Sequence, residues 1–366
     1  MATLFSRYLH TVSFSSAAKS SIISYLTDSL GFSKPRALSL FNRFSSTESN
    51  PQSVIFFFES LGFTNTDIQT WVNKSPQILF SGVEKALKPR IQFFQDLGLT
   101  GSDLGKFISK NPVYLSDRFE ERLRPCVDVI KRFMIDDQSI IRTLNRCNWI
   151  DVKQPVPKIS ANIKYLEEEC GIVGSQLVLV MTRQPRLLIM GESELRALVS
   201  KVLDMGFPIK SRMLVHALYT ISCMSDQTVE RKFQLFQMYG FTEVECLDMF
   251  KRAPGLFRAS ESKLKLGIDF FLNKVKFDKA VLARNPTCLM FSLEKRVIPR
   301  FRVLHILMSK RLLKKMPKFL NAMSIPEDEF LERFISKNRD DEEKLLLAYK
   351  GGDLVNGTQM WGHFRD

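Results

Sequence analysis

Apolar residues recur along this chain in short blocks at helical spacing. One block places Ile68, Trp71 and Val72 three and four positions apart, and 36 residues further on Leu104 and Phe107 belong to an equivalent block. This spacing puts the apolar side chains on one face of an amphipathic α-helix. The pattern therefore predicts an all-α protein built from short helices.

Proline interrupts these blocks at a regular interval. Pro76 and Pro112 each follow an amphipathic block and lie 36 residues apart. Proline lacks the N–H that the next helical hydrogen bond needs, so it ends the helix before it. We call the equivalent position of each repeat the proline slot, whichever residue occupies it. It lies at intervals of 36, 36, 37, 35, 34 and 32 residues, at Pro76, Pro112, Asn148, Pro185, Thr220, Pro254 and Pro286. The interval defines a repeat, and the two repeats in which Asn148 and Thr220 replace proline are expected to be less kinked.

Each repeat carries the signals of two helices and a tight turn. The first helix, predicted over residues 89–97, ends at Gly98, which can adopt the left-handed conformation that closes a helix. Thr64, Thr100 and Thr242 follow such a glycine and have an acidic residue three positions later, which predicts a capping box opening the second helix. The apolar segment after the proline slot is too short for an α-helix and is predicted to be a 3₁₀ turn.

One apolar stripe per helix cannot be buried within a single repeat, whereas stacked repeats bury it against their neighbours. The sequence predicts about eight repeats, each of two helices plus a 3₁₀ turn, in a right- or left-handed superhelical solenoid over residues 22–335. The many phenylalanines at helical spacing are expected to fill its core rather than to stack on bases. Residues 336–366 are predicted to be an acidic, disordered tail.

The first 21 residues have the composition of an organellar transit peptide. No acidic residue occurs before Asp28, serines are frequent, and Arg7 lies in a short amphipathic stretch. Such segments are typical of mitochondrial and chloroplast presequences. We expect import into the mitochondrion, with the chloroplast as the alternative.

The charge balance favours a polyanionic ligand. There are 53 Lys and Arg against 39 Asp and Glu, a net charge of +14, which attracts nucleic acid or an anionic membrane surface. The longest apolar runs are far shorter than the ~20 residues of a membrane-spanning helix, so membrane insertion is not expected. Six scattered cysteines without a C-x-x-C pair are expected to be free thiols rather than a disulfide framework or a zinc site.

No catalytic or cofactor-binding pattern occurs in the sequence. It lacks H-E-x-x-H, a Walker loop, G-x-S-x-G and G-x-G-x-x-G. The acidic run at residues 340–343 is interpreted as part of a solvated tail rather than as a metal site. We therefore expect no enzymatic activity, no metal and no cofactor.

Two positions before the proline slot, the residue is basic in six of seven repeats, with Leu218 as the exception. On a helical wheel Lys74 lies away from the apolar stripe, so its ammonium is predicted to point to solvent. One cation per layer suits a groove that follows a polyanion, but the helix macrodipole also favours a C-terminal cation, by roughly 0.3–1 kcal/mol. Both interpretations stay open for this set, the cation row: Lys74, Lys110, Arg146, Arg183, Arg252 and Arg284.

A second proline stands 13 residues after the slot in three repeats, and basic residues flank it. The helix N-termini there could also present free backbone N–H groups to phosphates. Solvated charge is the usual explanation for such residues, and the sequence leaves both possibilities open. We name these candidates the flanking set: Lys88, Arg90, Arg124 and Arg300.

The unit L-G-[FL]-T-x-x-[DE]-[IL], followed by the proline slot and by a second proline at Pro89, Pro125 and Pro299, resembles the repeat of the mitochondrial transcription termination factor (mTERF) family. The opening SLGFSKPRALSLFNRF is similar to plant organellar members, and the resemblance covers roughly residues 22–335. It implies a curved array of three-helix repeats whose basic concave face holds double-stranded DNA in organelles. It also implies that some plant relatives act on organellar RNA, in intron splicing or ribosomal RNA maturation.

Residues and resemblance together predict an organellar nucleic-acid-binding regulator of gene expression. It would act by occupying double-stranded DNA, in transcription termination or initiation or in RNA processing. The alternatives are an organellar RNA-binding factor for splicing or ribosomal RNA maturation, and a helical-repeat scaffold for other proteins. Further partners would be transcription or splicing proteins, and the protein is expected to be a monomer.

Overall fold

Helices make up all the regular secondary structure of the computed structural model, which describes residues 16–44, 50–134, 136–313 and 318–351. No strand occurs within these ranges. The chain divides into two compact units, Met1–Leu195 and Arg196–Asp366. The predicted all-α fold class is confirmed.

Most of the α-helices are short. Those of the N-terminal unit are α1 Ser16–Ser24, α2 Lys34–Phe44, α3 Pro51–Ser60, α4 Asn65–Lys74, α5 Lys88–Asp96, α6 Gly101–Lys110, α7 Arg124–Lys131, α8 Asp137–Leu144, α9 Pro155–Glu168, α10 Ser175–Arg183 and α11 Arg186–Ile189. Helix α12, Glu192–Asp204, spans the division. Those of the C-terminal unit are α13 Arg212–Ser222, α14 Asp226–Met238, α15 Glu243–Arg252, α16 Glu261–Asp269, α17 Lys279–Arg284, α18 Ile298–Ser309, α19 Phe319–Ser324, α20 Glu327–Leu331 and α21 Glu342–Lys350.

Shorter helical turns connect them. The 3₁₀ turns are Pro76–Phe80, Pro112–Leu115, Pro254–Arg258, Pro286–Met290 and Arg339–Asp341. The π turns are Tyr25–Ser29, Val83–Leu87, Phe119–Leu123, Phe270–Lys274, Leu293–Val297 and Glu332–Ser336. Leaving out α11, the first and second helices of the repeats form eight pairs in the described residues, in agreement with the predicted number: α3 with α4, α5 with α6, α7 with α8, α9 with α10, α12 with α13, α14 with α15, α16 with α17, and α18 with α19.

The proline slot ends the second helix and opens a 3₁₀ turn in four repeats, as predicted. The turn Pro76–Phe80 buries its last three side chains in the core. At Thr220 the helix α13 continues through the slot to Ser222, so this repeat is not kinked there, as expected. At Asn148 the expectation fails, because α8 ends at Leu144 and no helical turn follows. There the side-chain amide of Asn148 donates to the Asp151 carboxylate at 2.5 Å, within the irregular segment that follows α8.

The second proline lies inside a longer helical segment rather than at its start, which corrects the predicted beginning at Pro89. Residues Val83–Leu87 form a π turn that runs directly into α5, and the Lys88 amide donates to the Val83 carbonyl. Equivalent π turns precede α7 and α18, the other two helices with a second proline. A proline ring clashes with the carbonyl four residues earlier, and the wider π turn relieves that clash.

Two of the three predicted capping boxes form. Thr64 accepts from the Asp67 amide at 3.2 Å while Asp67 accepts from the Thr64 amide at 3.0 Å, and Thr242 and Glu245 repeat this exchange. These hydrogen bonds to Thr242 hold the pKa of Glu245 below its usual value. The prediction for Thr100 was wrong, since its side chain makes no cap hydrogen bond. The next residue, Gly101, has φ +49°, so the first turn of α6 starts from a left-handed residue that aims the amides differently.

Aromatic side chains occupy the core, as expected. Phe58 packs against Trp71 with ring centroids 5.0 Å apart, and neither side chain is exposed to solvent. In the C-terminal unit Phe250 and Phe257 are 4.7 Å apart and equally buried. Rings sequestered in this way are not available for stacking on bases.

Both ends of the ordered array differ from the predicted boundaries. Residues 336–351 were assigned to a disordered tail, yet α21 packs against α18 and buries Leu345 and Ala348. Residues 336–351 carry four acidic and four basic side chains, and Asp341 among them forms an ion pair with Lys310 that helps to hold the segment. At the other end α1 begins inside the predicted transit peptide, while residues 1–15 of that peptide lie outside the described residues.

We predict that Thr64→Ala and Thr242→Ala each lower the free energy of unfolding by about 1 kcal/mol, because each removes a capping box. Urea denaturation followed by circular dichroism would measure this. Thr100→Ala is the matched control and should change stability by less than about 0.5 kcal/mol. Equal losses at all three threonines would contradict the assignment of the caps.

Candidate nucleic-acid interface

All six members of the cation row lie at or just beyond the end of a second helix, and all six side chains are exposed. Five occupy the last turn of α4, α6, α10, α15 or α17. Arg146 follows α8 by two residues. Lys74 is solvent-exposed as predicted, but its ammonium also reaches the carboxyl end of α6.

Row members of successive repeats lie next to each other. The Lys74 ammonium donates to the carbonyls of Ser109 and Lys110 at 3.0 and 3.3 Å. In the same unit the Arg146 guanidinium donates to the Arg183 carbonyl at 3.3 Å. These carbonyls are the unpaired acceptors at a helix C-terminus, where the macrodipole also favours a cation. At Lys74 and Arg146 the cation therefore stabilises a helix C-terminus, as the macrodipole interpretation predicts. The same contacts bring Lys74 close to Lys110 and Arg146 close to Arg183.

On α6 and α15 acidic residues lie nearer the start of the second helix, away from the row cation. A groove of about 360 Å³ between α15 and α17 is lined by Arg252 and Arg284, and by Glu245 and Asp248 nearer the start of α15. A similar groove of about 310 Å³ next to α6 is lined by Lys110 at one end and by Asp103 at the other. In both grooves the row cation lies at the C-terminal end of the second helix, and the acidic residues lie nearer its start, where Lys106 pairs with Asp103 on α6.

The two exposed members of the flanking set are neutralised by their own helices. Lys88 pairs with Glu84 at 2.6 Å and Arg124 pairs with Glu120 at 3.0 Å, each across one helical turn. An exposed pair of this kind contributes little to stability, but it lowers the local positive potential. Both positions therefore attract a polyanion less strongly than the cation row does.

The other two members of the flanking set, Arg90 and Arg300, are buried, which corrects the expectation that they face a ligand. Arg90 is 8% exposed and donates to the Leu115 carbonyl at 2.5 Å. Arg300 is 1% exposed and donates to three carbonyls at 2.8–3.3 Å, those of Ala322, Met323 and Ile325. Their guanidinium groups satisfy backbone acceptors inside the protein and present no free face to a phosphate.

The same device recurs at equivalent positions of other first helices, which the sequence analysis missed. Asn162 is buried in α9 and donates to three carbonyls around α11, among them that of Met190 at 3.0 Å. Lys232 in α14 donates to the Ala259 carbonyl, and burial lowers the pKa of its ammonium. One sequence signal could have identified this set. Each member is a polar residue on a first helix, about 25 residues before the end of the short segment that follows the next proline slot.

The backbone amides at the second prolines are not free for phosphates. The amides of Lys88, Arg124 and Ile298 donate to carbonyls of the preceding π turn. Because the helical segments begin five residues earlier, the predicted phosphate site at these N-termini is absent from the three repeats concerned.

The described part of the chain was also compared with the requirements of a metal site and of a membrane-spanning helix, and it meets neither. It contains no group of three or more His, Cys, Asp or Glu side chains placed to hold a metal ion. Within the same residues no helix combines the length and the apolar character needed to span a membrane.

A family model for mTERF matches residues 55–207 and 212–331, which together make up well over half of the chain. The chain belongs to the mTERF family. The family fold is a helical-repeat solenoid, in agreement with the repeats described above. Proteins of this family are nucleic-acid-binding regulators of organellar gene expression and are not known enzymes, and membership supports that general role for this mTERF protein.

One similar curated protein is the chloroplastic transcription termination factor MTERF8 of Arabidopsis thaliana. It is 20% identical to this mTERF protein over 144 residues, which are 39% of this chain and 29% of the relative. The match therefore spans less than a third of the relative's length.

We predict that Arg300→Leu lowers the free energy of unfolding by about 3 kcal/mol, because it leaves three buried carbonyls without their donor. Thermal or urea unfolding of the purified protein would measure this. Arg302→Leu, on the exposed face of the same helix, is the control and should change stability by less than about 0.5 kcal/mol. An unchanged Arg300→Leu stability with weakened nucleic-acid binding would instead return Arg300 to the interface.

Proposed function

We propose that this mTERF protein binds double-stranded DNA along the cation row and regulates organellar gene expression by occupying its target. The observation that carries the proposal is the contrast between the two basic sets. In the described residues no member of the cation row forms an ion pair with a carboxylate, whereas Lys88 and Arg124 of the flanking set do.

The spacing of the row suits a polyanion that runs across the repeats. Four row members follow one another in the N-terminal unit: Lys74, Lys110, Arg146 and Arg183. Packed helices lie ~10 Å apart, so these four layers extend over about 30 Å. That length is close to one turn of duplex, ~34 Å, and each layer offers one cation to the backbone.

Binding along this row would be guided by backbone charge. Lys and Arg contacts to phosphates fix position but do not read the base sequence. Bound protein would block a polymerase or recruit processing factors without chemistry of its own, which fits the family's regulatory role. The Arabidopsis relative is a chloroplastic transcription termination factor, which supports transcription as the process and the chloroplast as the location, rather than the mitochondrion favoured by the N-terminal segment.

We predict that the triple change Lys110→Glu, Arg146→Glu and Arg183→Glu weakens binding to duplex DNA at least about tenfold, because three attractive charges become repulsive. Filter binding or fluorescence anisotropy would measure the affinity. The control reverses three exposed cations of first helices in the same unit, Lys131, Arg132 and Lys164, and should reduce affinity much less. Equal losses in both variants would show that net charge, not the row, governs binding.

We also predict a steep salt dependence for the unmodified protein. If the six row cations each neutralise one phosphate, the logarithm of the affinity should fall with the logarithm of salt at a slope near −5 on duplex DNA. The measurement is a salt titration with duplex DNA and, in parallel, with structured RNA of equal length. Tighter binding to RNA would favour splicing or ribosomal RNA maturation, and weak binding without a salt slope would favour a protein scaffold.

A further inference from the structure

The C-terminal unit has a groove whose charge is opposite to that of the chain. It has a volume of about 620 Å³ and lies among the last residues of α12, the helix α14 and the first turns of α15. Four carboxylates line it, from Asp204, Asp226, Glu230 and Glu243, against one ammonium, from Lys201. In a protein of net charge +14 this groove is locally negative.

Apolar side chains form the floor of this acidic groove. Met205, Phe233 and Leu247 line it and are only half-buried, so each keeps part of its surface accessible. Next in the chain to the lining residues Gln237 and Glu243 are two strongly exposed apolar residues, Met238 (80% exposed) and Val244 (70% exposed). Clustered exposed apolar surface with a polar rim is typical of a protein-interaction site.

The charges of the rim restrict what can occupy the groove. Lys201 is already paired with Asp226. The carboxylates of Asp204, Glu230 and Glu243 have no cation bound to them within the described residues and are exposed to solvent. They repel the phosphates of a nucleic acid and attract Lys and Arg.

We propose that the acidic groove docks a basic, amphipathic helical segment of a protein partner. The apolar stripe of such a segment would cover Met205, Phe233 and Leu247, and its cations would meet the carboxylates of the rim. This is the mode in which an amphipathic helix binds a groove through anchors at positions i, i+3, i+4 and i+7.

The groove and the cation row lie toward opposite ends of α15. On α15 the groove residue Glu243 begins the helix and the row residue Arg252 ends it. At 1.5 Å per residue these two positions lie about 13 Å apart along the helix axis. The two sites therefore draw on different ends of one helix.

The test uses the full chain and a labelled model peptide of about 18 residues with leucines at helical i, i+3, i+4 and i+7 positions and lysines elsewhere. Fluorescence anisotropy should show saturable binding to the wild-type protein. The double change Glu230→Lys and Glu243→Lys should weaken it at least about tenfold, because attraction at the rim becomes repulsion. Circular dichroism melting of the variant establishes that it is folded.

Two controls make the result decisive. The matched variant Glu168→Lys with Glu169→Lys, on the exposed surface of α9, should bind the peptide as the wild type does. A peptide of the same composition with its leucines scrambled should bind far more weakly. Equal binding of both peptides, or of both variants, would overturn the proposal. Self-association in sedimentation velocity that the groove variant abolishes would also overturn it, since the occupant would then be a second copy of the chain.

Discussion

Short helices leave many backbone carbonyls without partners, and the donors that satisfy these carbonyls hold the repeats together. Lys74 and Arg146 reach from one second helix to the carboxyl end of the next, and Arg90 and Arg300 do the same from first helices. A buried carbonyl without a donor costs about 1–3 kcal/mol. Part of the basic composition therefore serves the fold itself, and Lys74 and Arg146 do so while remaining exposed members of the cation row.

The repeat period and the positions of the second helices were predictable because proline and the i, i+3, i+4 pattern act through local geometry. The burial of Arg90 and Arg300 was not, since it depends on carbonyls more than twenty residues away along the chain. In sequence, Arg90 and its exposed neighbour Lys88 look alike. The absence of a cap at Thr100 was not predicted, because it depends on the left-handed conformation of Gly101. The order of α21 was not predicted either, because it depends on a contact with α18.

The candidate interface was only partly visible in the sequence. Spacing located the cation row, but nothing in the spacing shows that Lys88 and Arg124 are neutralised by an acid one turn away while the row is not. The acidic groove had no sequence signal, because its lining comes from α12, α14 and α15, which only the packing of two repeats brings together. On α15 the groove carboxylate of Glu243 and the row cation Arg252 therefore lie at opposite ends of the same helix.

The carbonyl-binding contacts span a short stretch of chain. Asn162 reaches 25–28 residues ahead and Lys74 reaches 35–36, so each donor meets acceptors in its own repeat or the adjoining one. In a stack joined only through nearest neighbours, stability is approximately a sum of local terms. A duplicated repeat would bring its own donor and its own acceptors, so the array can lengthen or shorten by whole repeats without new matches between distant residues.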